Sequence, residues 1–418
     1  MNYQILTGDN RVTLKTLPDN SIDAIITDPP YGIDFLGKSW DANTGAVETY
    51  QECLRVLKPG GHILAFSAAR TYHHLAITLE QAGFEIRDQI MWIYSSGFPK
   101  SQDIGKQIDR SANKKDPNYG TTKHSIVSTE GDAVGGQRCK VCNKGVNVNG
   151  DGNTALQCKE DPCGLKYAYQ TNEGKAWAGW GTALKPAHEP IALARKPIKL
   201  SIAKNAQKWG TGALNIDATR IPYEDAKDIE TYLNNKKGPM ERSTAEDGEG
   251  IGMFGGEVGY KTIKRAVSAE QDLPEAGRFP SNVIGDIPDY QKYFYCPKVS
   301  RRERHIGFDE IPYNGNSEVG GMYGPNQSIT RNNVENKGNN HPTVKPIELM
   351  KYLIKLITPP GGIVLDPFNG SGSTGCAAVE LGHSYIGCEL DPAYVEIAEK
   401  RIEAWYAATR DPAKEIFE

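Results

Sequence analysis

Ile22-Asp23-Ala24-Ile25-Ile26-Thr27-Asp28-Pro29-Pro30-Tyr31 runs from an apolar segment into a rigid, polar end. Ile22 to Thr27 reads as a buried strand, so Asp28-Pro29-Pro30-Tyr31 falls where a strand ends and a loop begins. Two prolines halt any further ladder, and the tetrapeptide could be no more than a rigid turn. Its chemistry is richer than a turn requires. Asp28 and a fixed backbone carbonyl can accept the hydrogens of a planar amine while Tyr31 stacks on the ring that carries it. The exocyclic amino group of a nucleobase is such an amine.

Around that strand, residues 1–100 alternate strand-like and helix-like segments. Tyr3–Thr7, Ala24–Thr27, His62–Ser67 and Gln89–Tyr94 read as strands. Val47–Leu57 and Tyr72–Ala82 read as helices, the second stopping at Gly83. Lys58-Pro59-Gly60-Gly61 reads as a turn before a strand. Residues 101–340 differ: they are rich in Gly, Asn, Lys and Asp, and 234–260 and 313–340 read as long loops. So long an irregular stretch is uncommon inside a compact domain and reads as an inserted recognition region. From 341 the alternation resumes with helix Ile347–Ile357, strand Gly362–Asp366, helix Ser373–Leu381, strand Ser384–Glu389 and helix Ala393–Trp405. The expected architecture is α/β, with 1–100 and 341–418 as halves of one mostly parallel sheet and 101–340 inserted between them.

The second half carries Phe368-Asn369-Gly370-Ser371-Gly372-Ser373-Thr374-Gly375, a G-x-G-x-x-G between a strand and a helix. Glycines there permit a tight turn and close approach to a ligand. Glu389, at the end of the next strand, has the spacing of an acid that accepts from ribose hydroxyls. Alone, the loop suits a nicotinamide dinucleotide, S-adenosylmethionine, or mere helix–strand packing. Three features favour the methyl donor. Asp366-Pro367-Phe368 opens the loop with a carboxylate that can face a cationic methionine group. The loop lies late in the chain, with one strand after it, whereas a dinucleotide site needs more. The first half also supplies an amine-holding tetrapeptide that hydride transfer does not use.

Together these residues resemble the DNA amino-methyltransferases, which modify N6 of adenine or N4 of cytosine. The catalytic motif first, a variable region next and the donor loop last is similar to the beta group of that family. The resemblance implies a permuted Rossmann-like, S-adenosylmethionine-dependent methyltransferase sheet with a large inserted target-recognition region. It implies a catalytic Asp28-Pro29-Pro30-Tyr31, with Asp28 and the Pro29 carbonyl accepting from the target amine and Tyr31 stacking on the extruded base. Asp366, Phe368, Gly370 and Gly372 would line the methionine side of the donor, Glu389 would hold its ribose, and Asp9 would contact its adenine. His341-Pro342-Thr343-Val344-Lys345-Pro346 looks like the segment that closes the pocket, and Gly37-Lys38-Ser39-Trp40-Asp41 like a loop following the catalytic motif. An aspartate opening the tetrapeptide is commoner in the adenine enzymes, so site-specific N6 methylation of double-stranded DNA is expected. Cytosine-N4 methylation is the near alternative. An NAD-dependent oxidoreductase and an inactive nucleic-acid-binding module are remote ones.

Composition fits this picture without demanding it. The formal charge of −4 gives no global basic field, but a local basic groove suffices for phosphates. Lys298–His305 is the best basic patch and Lys261–Arg265 the second, while Lys204, Lys208 and Trp209 form a basic-aromatic group. Trp40 and Trp92 could border the base pocket, though Trp92, on a strand, reads first as core. Cys139-x2-Cys142 and Cys158-x4-Cys163 match a ribbon, across 136–166, in which four thiolates hold a structural zinc and leave no open catalytic position. Cys53 reads as a buried small hydrophobe. No apolar run approaches the roughly 18 residues of a membrane span, and the N-terminus lacks the basic start and apolar run of a signal peptide. A cytoplasmic protein, monomeric or homodimeric, is expected. No nuclease motif is legible, so any restriction endonuclease partner would be a separate chain.

Overall fold

The computed structural model describes residues 2–33, 44–94, 101–113, 126–127, 133–134, 146–148, 154–156, 171–184, 186–223, 225–230, 277–286, 299–308, 338–341 and 343–410. In chain order the strands are β1 (Tyr3–Thr7), β2 (Ile22–Thr27), β3 (Leu57–Phe66), β4 (Glu85–Tyr94), β5 (Ile126–Val127), β6 (Ala133–Val134), β7 (Val146–Val148), β8 (Thr154–Leu156), β9 (His188–Arg195), β10 (Val283–Asp286), β11 (Ile363–Asp366) and β12 (Ser384–Glu389). The chain divides into two units, one of Met1–Ser95 with His188–Glu418 and one of Ser96–Ala187.

The larger unit is built on a sheet ordered β1-β12-β11-β2-β3-β9-β4-β10. Every neighbouring pair is parallel except those of β9, which is antiparallel to both β3 and β4. The N-terminal strand β1 pairs with the late strand β12, and β11 lies beside β2 in the register Val364↔Ala24 and Leu365↔Ile25. The ends of the chain therefore form one sheet, as the permuted pattern requires. Period-two alternation sends successive apolar residues to opposite faces. Ala24, Ile26, Leu64, Phe66 and Val364 join one core cluster with helices Ile347–Ile357 and Ser373–Glu380. Ile25, Ile63, Ala65 and Leu365 join the other, with helices Val47–Val56 and Tyr72–Ala82. Gly83 ends the last of these in the left-handed region, at φ 104°, a C-terminal position that glycine suits. Asp23 fastens the halves at their base, accepting from the Ile363 N–H at 2.8 Å and from Lys58 Nζ at 2.6 Å.

Three differences from the sequence reading have physical causes. Lys58-Pro59-Gly60-Gly61 lies inside β3 rather than before it. Leu57 pairs with Ile22 and His62 with Ala24, so the extra residues form a bulge in the ladder, and Gly60 adopts φ 81° to permit it. Two strands, β9 and β10, come from 101–340, which the sequence reading assigned wholly to the insert; both join the main sheet. The compact second unit ends at Ala187. Its described residues include helices Ile104–Asn113 and Asn172–Ala176, joined by buried Asp109, which accepts from the Thr171 N–H and hydroxyl at 3.0 and 2.8 Å. No helix among the described residues is long and apolar enough to cross a membrane.

Candidate active site

From β11 the chain passes through helix Ser373–Glu380 to β12 on one side; from β2 it passes through helix Val47–Val56 to β3 on the other. The connections diverge at the β11/β2 boundary, and open α/β sheets bind ligands at such switch points, beyond the carboxyl ends of the strands. Asp28 follows β2 there and Asp366 ends β11. Thr27 joins the two ends, its hydroxyl donating to Asp366 Oδ1 at 2.7 Å.

Around Asp28 the structure assembles a group the sequence reading only partly named. Pro29 is buried, while Asp28, Pro30 and Tyr31 are half-buried. The Tyr31 hydroxyl donates to Asp28 Oδ1 at 2.8 Å and lies 3.0 Å from Glu189 Oε2. Lys345 Nζ donates to Asp28 Oδ2 at 2.5 Å and to the Tyr31 hydroxyl at 3.1 Å, and stands 3.5 Å from Glu189 Oε2. The same ammonium faces the Tyr31 and Phe66 rings, 5.4 and 4.9 Å from their centroids. Tyr94 donates to Glu189 Oε1 at 3.4 Å. Burial pushes Lys345 towards neutrality, but Asp28 and Glu189 more than offset it and hold the ammonium charged. Burial, then the charges of Asp28 and Glu189, push the Tyr31 hydroxyl well above its ordinary value, so it stays a donor.

The glycine loop forms the other wall. Gly370 and Gly372 have φ of 53° and 77°, and a Cβ on Gly370 would lie 2.9 Å from His341 Nε2. The Gly370 N–H donates to Glu389 Oε2 at 2.8 Å and the Asp391 N–H to Oε1 at 3.0 Å, so both glycines and the acid at the end of β12 form one backbone-lined cradle. Burial pushes the Glu389 carboxyl upward against these donors. Phe368 packs beside Tyr50, with centroids 6.4 Å apart. Asp366 lies beneath the loop, accepting from Thr27, from Thr374 Oγ1 at 2.6 Å and from the Phe368 N–H at 3.1 Å; burial raises it to about 6. Asp9 caps the short helix Asn10–Thr13 and pairs with Arg11 at 2.5 Å. Its neighbour Asn10 reaches the loop, donating to the Pro367 carbonyl at 2.9 Å. Buried Arg401 braces the loop from helix Pro392–Arg410, donating to the Ser371 carbonyl at 2.5 Å.

His341 and Lys345 touch the two walls. His341 Nδ1 lies 2.6 Å from the Thr343 carbonyl, and burial lowers the imidazole to about 4. The neutral ring therefore carries its proton on Nδ1 and turns Nε2 towards Gly370. Four residues later Lys345 meets Asp28. Glu303 and Arg304, from the expected DNA-facing patch, instead serve this segment: Glu303 accepts from the Ile347 N–H at 2.5 Å, and Arg304 donates to the His341 carbonyl. Trp92 is 2% exposed core. Cys139, Cys142, Cys158, Cys163, Trp40 and the Gly37–Asp41 segment lie outside the described residues. Among the described residues no group of His, Cys, Asp or Glu is placed to hold a metal. Glu189 was missed because β9 was; the apolar run Ile191–Ala194 before Arg195 was its available signal.

A largely parallel sheet permuted in this order, with a carboxylate-aromatic motif and an acid-flanked glycine loop at neighbouring strand ends, defines a class of ligand-binding α/β proteins. The family model for DNA methylases of the N6/N4 group matches residues 22–400, and the chain belongs to that family. Among characterised relatives, the type II methyltransferase M2.DpnII of Streptococcus pneumoniae is 44% identical over 77 residues, 18% of this chain and 28% of that protein. The DNA adenine methyltransferase YhdJ of Escherichia coli K12 is 44% identical over 64 residues, 15% and 22% of the two chains. The matched segments thus span less than a third of these relatives. Among solved structures, the complex of M1.HpyAVI with SAM aligns over 96% of this chain and 99% of that one, at 17% identity and a TM-score of 0.38. The cytosine-N4-specific PvuII DNA methyltransferase aligns over 98% and 93%, at 14% identity and a TM-score of 0.41.

Proposed function

We propose that the protein transfers a methyl group from S-adenosylmethionine to N6 of adenine within a specific sequence of double-stranded DNA. The observation that carries this reading is the pairing of β2 with β11, which brings Asp28, the proposed amine acceptor, beside a glycine-rich, acid-flanked cradle. The cradle fits an adenosyl ligand: at Gly370 a side chain would strike His341, and Glu389 stands at the adjoining strand end. When bound, S-adenosylmethionine supplies an electrophilic methyl group and leaves as a neutral thioether. Phe368, Gly370, Gly372 and Glu389 would hold it, with Asp366 shaping the loop and Asp9 beside the adenine.

The chain's residues then prepare the nucleophile. An exocyclic amino nitrogen is weakly nucleophilic because its lone pair is delocalised into the ring. Acceptors at Asp28 and the Pro29 carbonyl draw both hydrogens and localise that pair on nitrogen. Asp28 also accepts the proton the methylated nitrogen must lose. The base leaves the duplex stack at a cost of a few kcal/mol, and stacking on Tyr31 returns about 1–3 kcal/mol. Positioning supplies the rate, and no covalent enzyme intermediate is required. Cys53, Cys376 and Cys388 are buried, and burial pushes each thiol upward, so none is a ready nucleophile for ring-carbon methylation.

Aspartate as the first residue of the motif favours adenine, and YhdJ, whose name specifies adenine, is among the relatives. The region 96–187 would contribute sequence recognition, with a zinc on Cys139, Cys142, Cys158 and Cys163 stiffening it, and any restriction endonuclease would be a separate chain. The test is modification-sensitive sequencing of DNA from a host expressing the protein. N6-methyladenine at one fixed sequence is expected; N4-methylcytosine would reassign the base, and unmodified DNA would defeat the reading.

A further inference from the structure

Each oxygen of Asp28 already has a donor seated on it in the resting arrangement. Oδ1 accepts from Tyr31 and Oδ2 from Lys345. The Lys345 ammonium is itself an N–H donor beside the Tyr31 ring, so it occupies the station that a target amino group needs. For the amine to be held at that station over the Tyr31 ring, Lys345 must give up its place on Oδ2. It cannot leave without a partner, because an unpaired ammonium in a buried site is strongly disfavoured; its side chain is 8% exposed. Asp366 is no alternative, since its oxygens are taken by Thr27, Thr374 and the Phe368 N–H. Glu189 is placed for the task. Its Oε2 stands 3.5 Å from Lys345 Nζ, so a shift of about 1 Å completes a charge-assisted hydrogen bond of ordinary length.

We infer that Glu189 is a positioning residue that takes the Lys345 ammonium from Asp28 as the target amino group arrives, freeing Oδ2 to accept from the base. The exchange conserves charge: one ammonium moves between two carboxylates, and the arriving amine replaces it at the first. Glu189 also keeps the Tyr31 ring in place during the move, because Oε2 lies 3.0 Å from the Tyr31 hydroxyl, which can turn its proton from Asp28 to it. Its seat on antiparallel β9, between β3 and β4, makes the exchange partner part of the sheet rather than of a loop. The inference rests on the reading of Asp28 as the amine acceptor.

The test uses the full chain, tritiated S-adenosylmethionine and unmethylated host DNA. Glu189→Gln removes the second carboxylate with little change of shape, leaving Lys345 on Asp28. Donor affinity measured by calorimetry should stay within about twofold of wild type, while the transfer rate falls about tenfold or more. Adding Lys345→Met removes the competing ammonium, so the double variant E189Q/K345M should transfer faster than E189Q. A merely structural role predicts a double variant no faster than the single one. E189Q at the wild-type rate, or a double variant with no recovery, overturns the inference. If E189Q fails to fold, Glu189→Asp takes its place: the shorter carboxylate should slow transfer, and Lys345→Met should again restore it. Asp28→Ala separates the levels. If it transfers methyl normally, the acceptor assignment fails; if it is inactive and E189Q is normal, only the Glu189 inference fails.

Discussion

Replacing Asp366 with asparagine should raise stability at neutral pH and weaken donor binding at once. The side chain is 3% exposed, and burial lifts its carboxyl from the ordinary 3.8 to about 6, against the lowering effect of its Thr374, Thr27 and Phe368 donors. Between those values the folded chain binds the proton more tightly than the unfolded one. Stability from this group is therefore fully present below the unfolded value and is lost as pH rises through about 6. The whole gap is worth about 3 kcal/mol, of which about 1.4 kcal/mol falls between about pH 5 and about pH 7.5. Asparagine has no charge to bury. Its carbonyl can still accept from Thr27 and the Phe368 N–H, and the Thr374 hydroxyl can turn to accept from the amide. Urea unfolding of the full chain at both pH values should show the variant gaining about 1.4 kcal/mol on wild type as pH rises. Calorimetric titration with S-adenosylmethionine at the higher pH should show affinity falling about tenfold, through loss of a negative charge near a cationic ligand. Parallel stability profiles for the two proteins would refute the buried-charge argument. Unchanged affinity would confine Asp366 to shaping the loop.

Asp28→Ala should reduce methyl transfer by more than about 100-fold while leaving donor affinity within about twofold, since it removes the amine acceptor and spares the glycine loop; normal transfer would remove Asp28 from the chemistry. Gly370→Ala forces a Cβ onto a backbone at φ 53° and within 2.9 Å of His341 Nε2, so donor affinity should drop by about 1–2 kcal/mol in calorimetry, and an unaltered affinity would show the loop to be slack. The four-cysteine cluster predicts about one zinc per chain by elemental analysis, released by a strong chelator without loss of donor binding; protein purified cleanly without zinc would end that proposal.

Local signals made the ends of the chain legible. Tyr3–Thr7 and Ser384–Glu389 are short apolar runs bounded by turns, and both are strands with the boundaries the sequence implied. The Asp28 and Gly370 motifs were equally plain, because each places rigid or glycine residues directly after an apolar run. What the sequence hid depends on distant pairing. β3 starts earlier than expected because a Lys-Pro-Gly-Gly segment that looks like a turn is instead carried as a bulge, held where Gly60 N–H meets the Lys196 carbonyl at 3.1 Å. β10 has four residues and contains Gly285, whose position has room for no side chain: a Cβ would fall 2.1 Å from the Ile93 carbonyl oxygen. Glu189 meets Tyr31 across 158 residues, and no local pattern marks such a contact. Arg304 misled for the opposite reason. A charged run reads as solvent-facing, yet this guanidinium is turned to the His341 carbonyl.

The permuted order works because the halves share side-chain bonds as well as a ladder. Thr27 sits immediately before Asp28 and donates to Asp366, the acid beneath the glycine loop. Asp23, at the other end of β2, accepts from the first residue of β11. His341 stands against Gly370 and Lys345 on Asp28. The glycine loop and Asp28 are therefore linked through Asp366 and Thr27. That coupling explains a feature that stability alone would disfavour, a carboxylate buried at the seam. Asp366 draws the Thr27 and Thr374 hydroxyls inward from two different elements and so ties the end of β2 to the start of the glycine-loop helix. The proposed in-line displacement would depend on such a tie, because misplacement by about 1 Å can cost two orders of magnitude in rate. A neutral group of similar size would fold more readily and position less firmly.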